Sequence, residues 1–141
     1  QVSRILLYAF LIFLLVILAM IARRKILLTQ RKKRFCLECK NDAIGWIFAD
    51  TIHILQKMGF DRKNGSVQSI CPSVEASLGA EYVSELKQMV DLNARALFSS
   101  HVLEETHRET ALSFRGNTIQ QLQNHTTWKQ RFKMKWIQCI Y

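Results

Sequence analysis

The residues best suited to chemistry are Cys36 and Cys39, in the run Cys-Leu-Glu-Cys. Such a pair can supply half of a structural zinc site or cycle between dithiol and disulfide. Zinc needs about four ligands, commonly from two such pairs. The other cysteines, Cys71 and Cys139, each stand alone. A redox pair calls for a strand before it and a helix after it, whereas a basic run, Arg31 to Arg34, precedes this one. Cysteines beside a membrane span also take palmitate. Inert reduced thiols are the favoured reading, acylation the next, and metal or redox chemistry the last.

The histidines, His53, His101, His107 and His125, are scattered. His101 and His107 do not share a helix face, and His101 with Glu105 is a pair without the HExxH spacing of a metal site. Ser99, Ser100 and Cys71 lack a glycine-rich elbow and an identifiable base. There is no Walker loop and no GxGxxG, so no phosphate cradle is expected. The residues therefore predict no catalytic, metal or cofactor-binding position in this chain, and leave open whether the whole protein is an enzyme.

Charge is the stronger signal. The net charge of +9 is unevenly spread. Arg23, Arg24, Lys25, Arg31, Lys32, Lys33 and Arg34 fall within twelve residues that contain no acid. Between Phe35 and Thr127 there are 8 basic residues against all 11 acids. From Trp128 to Tyr141 there are four basic residues and no acid. The middle is thus mildly acidic, which argues against nucleic acid as a partner. The first cluster is expected to contact the headgroups of anionic lipids; a topology signal alone also accounts for it.

The element that positions this cluster is the run before it. Ile5 to Ala22 is eighteen residues without charge, Pro or Gly. At helical rise it covers about 27 Å, close to the ~30 Å hydrocarbon core of a bilayer. Ile26, Leu27 and Leu28 extend the apolar character, and nearby Lys and Arg stems can snorkel. A buried core helix is the alternative, but this run is apolar on every face. A cleaved signal fails because the basic cluster follows the apolar run. Seven basic residues after the span against Arg4 before it predict Gln1 outside and the C-terminal side in the cytoplasm. Because the chain begins with Gln1, it reads as a fragment or a processed product.

Beyond the basic exit, helical periodicity dominates. A helix is predicted from about Leu37 to Met58, with Ile44, Ile47, Phe48, Thr51, Leu55 and Met58 inward and Trp46, Ile52 and Ile54 widening the face. Gly59 followed by Phe60 suits a Schellman ending. Asn64-Gly65 signals a turn. Ser73, after Pro72, is the expected cap of a short helix that Gly79 ends or bends. A further helix is predicted over Ala80–Phe98, with Tyr82, Leu86, Met89, Val90, Asn93 and Leu97 inward. Another runs over His101–Gln123, with Val102, Leu103, Thr106, Thr110, Phe114, Ile119 and Leu122 as its stripe, Gly116-Asn117 as a bend and Glu104–Arg108 as a helical pair. No strand is convincing.

The last segment combines Trp128, Phe132, Trp136 and Ile140 on one side with Lys129, Arg131, Lys133 and Lys135. Three readings compete: a fourth wall of the helical core, a membrane-surface element, and a nucleic-acid contact. Core packing is favoured. The fold class expected is all-α: an anchor with its basic exit over residues 1–30, and a small cytoplasmic bundle of about four helices over residues 31–141.

The order of these features carries a resemblance. A single span and basic exit are followed by "AIGWIFADTIHILQKMGF", "YVSELKQMVDLNARALFS" and a closing "WKQRFKMKWIQCIY". Across about residues 5 to 141 this resembles the C-terminal domain of unknown function in bacterial membrane-bound transglutaminase-like proteins. Leu55, Gly59, Ala96, Phe98 and Ser99 take the places of its recurring pattern. The resemblance implies a bacterial cell membrane and a papain-like Cys, His and Asp upstream of this chain. None of Cys36, Cys39, Cys71 and Cys139 is that nucleophile. Three functions follow as expectations: a non-catalytic anchoring and interaction module that meets the lipid bilayer and an unidentified protein partner, a fragment of a cysteine-dependent enzyme, or a membrane-proximal regulator.

Overall fold

An unbroken apolar run with no Pro or Gly has nothing to stop a helix, and the computed structural model, which describes residues 2–62 and 65–141, contains one. Helix α1 runs Val2–Phe35, 34 residues. The remaining α-helices are α2 (Lys40–Lys57), α3 (Cys71–Leu78), α4 (Ala80–Phe98), α5 (Glu105–Asn124) and α6 (Trp128–Phe132). A 3-10 turn, Val67–Ile70, leads into α3, and a π-helical turn, Lys133–Ile137, continues α6. No strand occurs among the described residues. The expected turn at Asn64-Gly65 has its first residue outside them.

The chain divides into two compact units. One holds residues 1–32 and 126–141, so the C-terminal segment falls with the N-terminal helix. The other is Lys33–His125.

The globular unit, Lys33–His125, is organised around α2, which packs on both α4 and α5, while α3 packs on α4. The core takes Ala43, Ile44, Ile47, Thr51, Ile54 and Leu55 from α2, Leu86 and Met89 from α4, and Ala111 and Phe114 from α5. Each large aliphatic among them contributes about 1.5–3 kcal/mol by leaving water. Helix α2 ends as expected in a Schellman turn: Phe60 N–H donates to Leu55 O at 3.1 Å and Gly59 N–H to Gln56 O at 3.0 Å, with Gly59 at φ +98°.

Two polar links join the helices. Arg115 on α5 donates through Nε to Asp50 Oδ2 on α2 at 2.7 Å, both side chains 15% exposed, and its guanidinium lies 5.2 Å from the Phe35 ring. Tyr82 on α4 stacks on Phe114 and shares a 2.6 Å hydrogen bond with Thr118. Thr118 Oγ1 also reaches Phe114 O, at 2.9 Å. Asn41 ties down the segment before α5, donating to His101 O and accepting from Leu103 N–H.

Several expectations are corrected. The helix from Leu37 begins three residues later, since residues 36–39 break the path between α1 and α2. Ser73 does not cap α3; the helix starts at Cys71, and Pro72 sits in its first turn, where its missing N–H costs nothing. Helix α4 keeps its predicted bounds but turns a different edge inward. Leu92, Ala96 and Val83 are buried, whereas Leu97 is 63% exposed. Helix α5 starts at Glu105, not His101, which leaves Val102 exposed and outside any helix, and Thr106 and Thr110 exposed on it. Glu104 is therefore a cap residue, and Arg108 pairs with Glu105 instead. Gly116-Asn117 does not interrupt α5.

Candidate membrane-proximal site

The site is built where the apolar run of α1 gives way to charge. Side chains from Ile5 to Leu18 are exposed on every face of α1. Among the described residues this is one helix long and apolar enough to cross a membrane. Along its basic end, Arg23, Lys25 and Lys32 are exposed, while Arg24, Leu28 and Arg31 form a half-buried stripe. Spacings of four and three residues put those three on one helix face.

The covering partner of that stripe is the C-terminal segment. Thr127 opens α6 with a reciprocal cap, its N–H donating to Gln130 Oε1 at 2.9 Å. The π-helical turn is closed by Gln138 N–H donating to Lys133 O at 2.9 Å, and Ile140 N–H then donates to Met134 O at 3.0 Å. Cys139 adopts φ +50°, a left-handed conformation uncommon for a residue with a Cβ. The carbonyls beyond that reversal meet α1. Arg31 Nη1 donates to Cys139 O at 2.6 Å and Ile140 O at 3.0 Å. Arg24 Nη2 donates to Tyr141 O at 3.0 Å, and its guanidinium sits 5.0 Å from the centre of the Trp136 ring. Met134, Cys139 and Ile140 are buried.

The expected core wall is thereby corrected. Ile140 is buried, but Trp128 is 76% and Phe132 48% exposed, and Trp136 is half-buried beside Arg24. The three rings form a ladder, Trp128 to Phe132 at 6.2 Å and Phe132 to Trp136 at 6.5 Å. Sequence reasoning missed the pairing of the two arginines with the tail. The seven-residue interval between Arg24 and Arg31 was a signal that they share a face; their acceptors are backbone carbonyls, which leave no trace in a sequence.

The other two basic candidates lie in the globular unit. Lys33 is exposed, and Arg34 stacks over the Trp46 ring at 4.4 Å. Cys36 and Cys39 are both exposed and flank the break before α2. Cys71 is half-buried at the start of α3. The histidines are not brought together: His53, His101 and His125 are exposed on different segments and His107 is half-buried on α5. Among the described residues no three His, Cys, Asp or Glu side chains converge as metal ligands would.

Two shallow grooves mark the globular unit. One, of about 520 Å³, lies along α2 and α4, with Asp42 and Arg62 as its titratable lining. The other, of about 530 Å³, lies between α4 and α5, with Glu85. Among the described residues the first lining holds no Ser, Thr, Cys or His; the second holds Thr110 and Ser113 together with Glu85. No family model, no curated protein and no solved structure matches this chain.

Proposed function

We propose that this chain is a non-catalytic, single-pass membrane anchor carrying a cytoplasmic helical interaction module, the inner end of a larger bacterial envelope protein of the transglutaminase-like kind. The observation that supports it is the exposure of α1 on every face from Ile5 to Leu18. A soluble core helix buries such a surface; this one presents it on all sides, and a bilayer is the solvent that suits it. Arg23, Lys25, Lys32 and Lys33 then lie at the headgroup layer, where each exposed cation gains about 1 kcal/mol from anionic lipid. Their excess over Arg4 orients the globular unit toward the cytoplasm.

The exposed Cys36 and Cys39 supply the test. The chain is expressed in bacteria and treated with a membrane-impermeant maleimide. Both cysteines should be protected in intact cells and labelled in inverted membrane vesicles, with the chain retained in the membrane after alkaline carbonate washing. Labelling in intact cells overturns the orientation, and loss to the carbonate supernatant overturns the anchor.

A further inference from the structure

We infer that the segment Trp128–Trp136 is a second membrane-contact element, a ring ladder seated in the interfacial layer of an anionic bilayer. The inference rests on reading α1 as a membrane span. Its first support is depth. Arg24 lies two residues past the end of the uncharged run at Ala22, about 3 Å along a helix. The Trp136 ring lies against that guanidinium, 5.0 Å from it, so this tryptophan is held at the level where hydrocarbon meets headgroups.

The second support is the exposure of large aromatic side chains. Trp128, Phe132 and Trp136 recur at four-residue steps and line up, ring tilted against ring, in one stripe, yet Trp128 and Phe132 face solvent. Tryptophan is the side chain most at home at a bilayer interface, where its apolar body and its N–H are both accommodated. The third support is charge. Lys129, Arg131, Lys133 and Lys135 are exposed around the stripe. The unit formed by residues 1–32 and 126–141 contains ten Lys/Arg and no Asp or Glu, because all 11 acids lie in Lys33–His125. Rings flanked by cations, beside a basic helix end, form the pattern of an interfacial helix on anionic lipid. The ring ladder thus turns a single-point anchor into a two-point one.

The test uses the full chain with Trp46→Phe, which leaves tail tryptophans as the only fluorophores of their type. It is reconstituted in phosphatidylcholine vesicles with and without phosphatidylserine, carrying a spin label high or low on the acyl chain. Flotation reports the anchor and quenching reports the tail. The expected result is strong quenching by the shallow label, weaker quenching by the deep one, and a larger effect with phosphatidylserine. Adding Lys129→Gln and Lys133→Gln should weaken tail contact on the order of tenfold while flotation persists. Vesicles that float with unquenched tail tryptophans overturn the ladder proposal and leave the anchor standing. A chain that does not float overturns the anchor reading itself. Tail fluorescence that responds to polyuridylate but not to lipid overturns the ladder proposal in favour of nucleic acid.

Discussion

Arg31 on the N-terminal helix holds the carbonyl of Cys139, 108 positions further along the chain, at 2.6 Å. The same nitrogen reaches Ile140 O at 3.0 Å. A guanidinium can do this because its donors diverge in a fixed plane, and the reversal at Cys139 turns successive carbonyls toward it. Charge-assisted bonds of this kind contribute about 1.5–3 kcal/mol each. Arg31→Lys keeps the charge but loses the planar fork, and Arg31→Ala loses both. In nanodiscs, the Ile140 amide should exchange its hydrogen roughly tenfold faster in Arg31→Ala than in the parent, with Arg31→Lys between them. Equal exchange in all three would show that Arg31 does not hold the tail in place.

The Arg115–Asp50 pair ties α5 to α2 with both side chains largely withdrawn from water. Removing one partner strands the other in a poorly solvated place, a loss of about 3–5 kcal/mol for buried pairs. Arg115→Ala should therefore lower the thermal midpoint of the globular unit by more than 10 °C, at roughly 4–8 °C per kcal/mol for a domain of this size. Replacing both residues by apolar ones should cost less than replacing Arg115 alone. Differential scanning calorimetry of the three proteins decides it.

Tyr82 gives a dependence on alkaline pH. Burial pushes its phenol pKa well above the ordinary value near 10, with the Glu85 charge adding to the shift and the Thr118 hydrogen bond opposing it. In the unfolded chain the phenol ionises near pH 10; in the folded chain it stays protonated. Above that pH the unfolded state binds fewer protons than the native state, so stability falls as pH rises. The stability given by the raised pKa is complete below pH ~10 and is lost above it, at about 1.4 kcal/mol per pH unit for this one group. Tyr82→Phe should cost about 1 kcal/mol at neutral pH and flatten the decline between pH 10 and 11. Urea unfolding at both pH values, parent against variant, checks the difference in slope.

Two glycines should respond differently to a Cβ. Gly59 (φ +98°) ends α2, and Gly79 (φ +93°, ψ 162°) joins α3 to α4. Neither would bring a Cβ within 4 Å of another group, so any cost is purely one of backbone conformation. The Gly79 conformation lies in a region open essentially to glycine alone, which costs about 1–3 kcal/mol for other residues. Gly59→Ala should lose only about 1–2 kcal/mol. Chemical denaturation should rank Gly79→Ala as the less stable, and the reverse order would point to relaxation at the α3–α4 joint.

What the sequence determined by itself was what depends on near neighbours. The apolar character of Ile5–Ala22, the all-helical class, the bounds of Ala80–Phe98 and the glycine ending at Gly59 are set by composition, periodicity and chain entropy over a few residues. The tertiary structure decided which edge of each stripe is buried and what the long side chains meet. Leu97 and Ala96 differ by about 100° around α4, and only the packing of α4 against its neighbouring helices leaves Ala96 buried and Leu97 exposed. Glu104 loses Arg108 to Glu105 because the helix begins one residue after it. The tail aromatics have the same spacing whether they face a core or solvent, and Arg24 and Arg31 find their acceptors in backbone carbonyls more than a hundred residues away. A carbonyl is present at every position, so its identity as a partner is created only when folding brings it within reach.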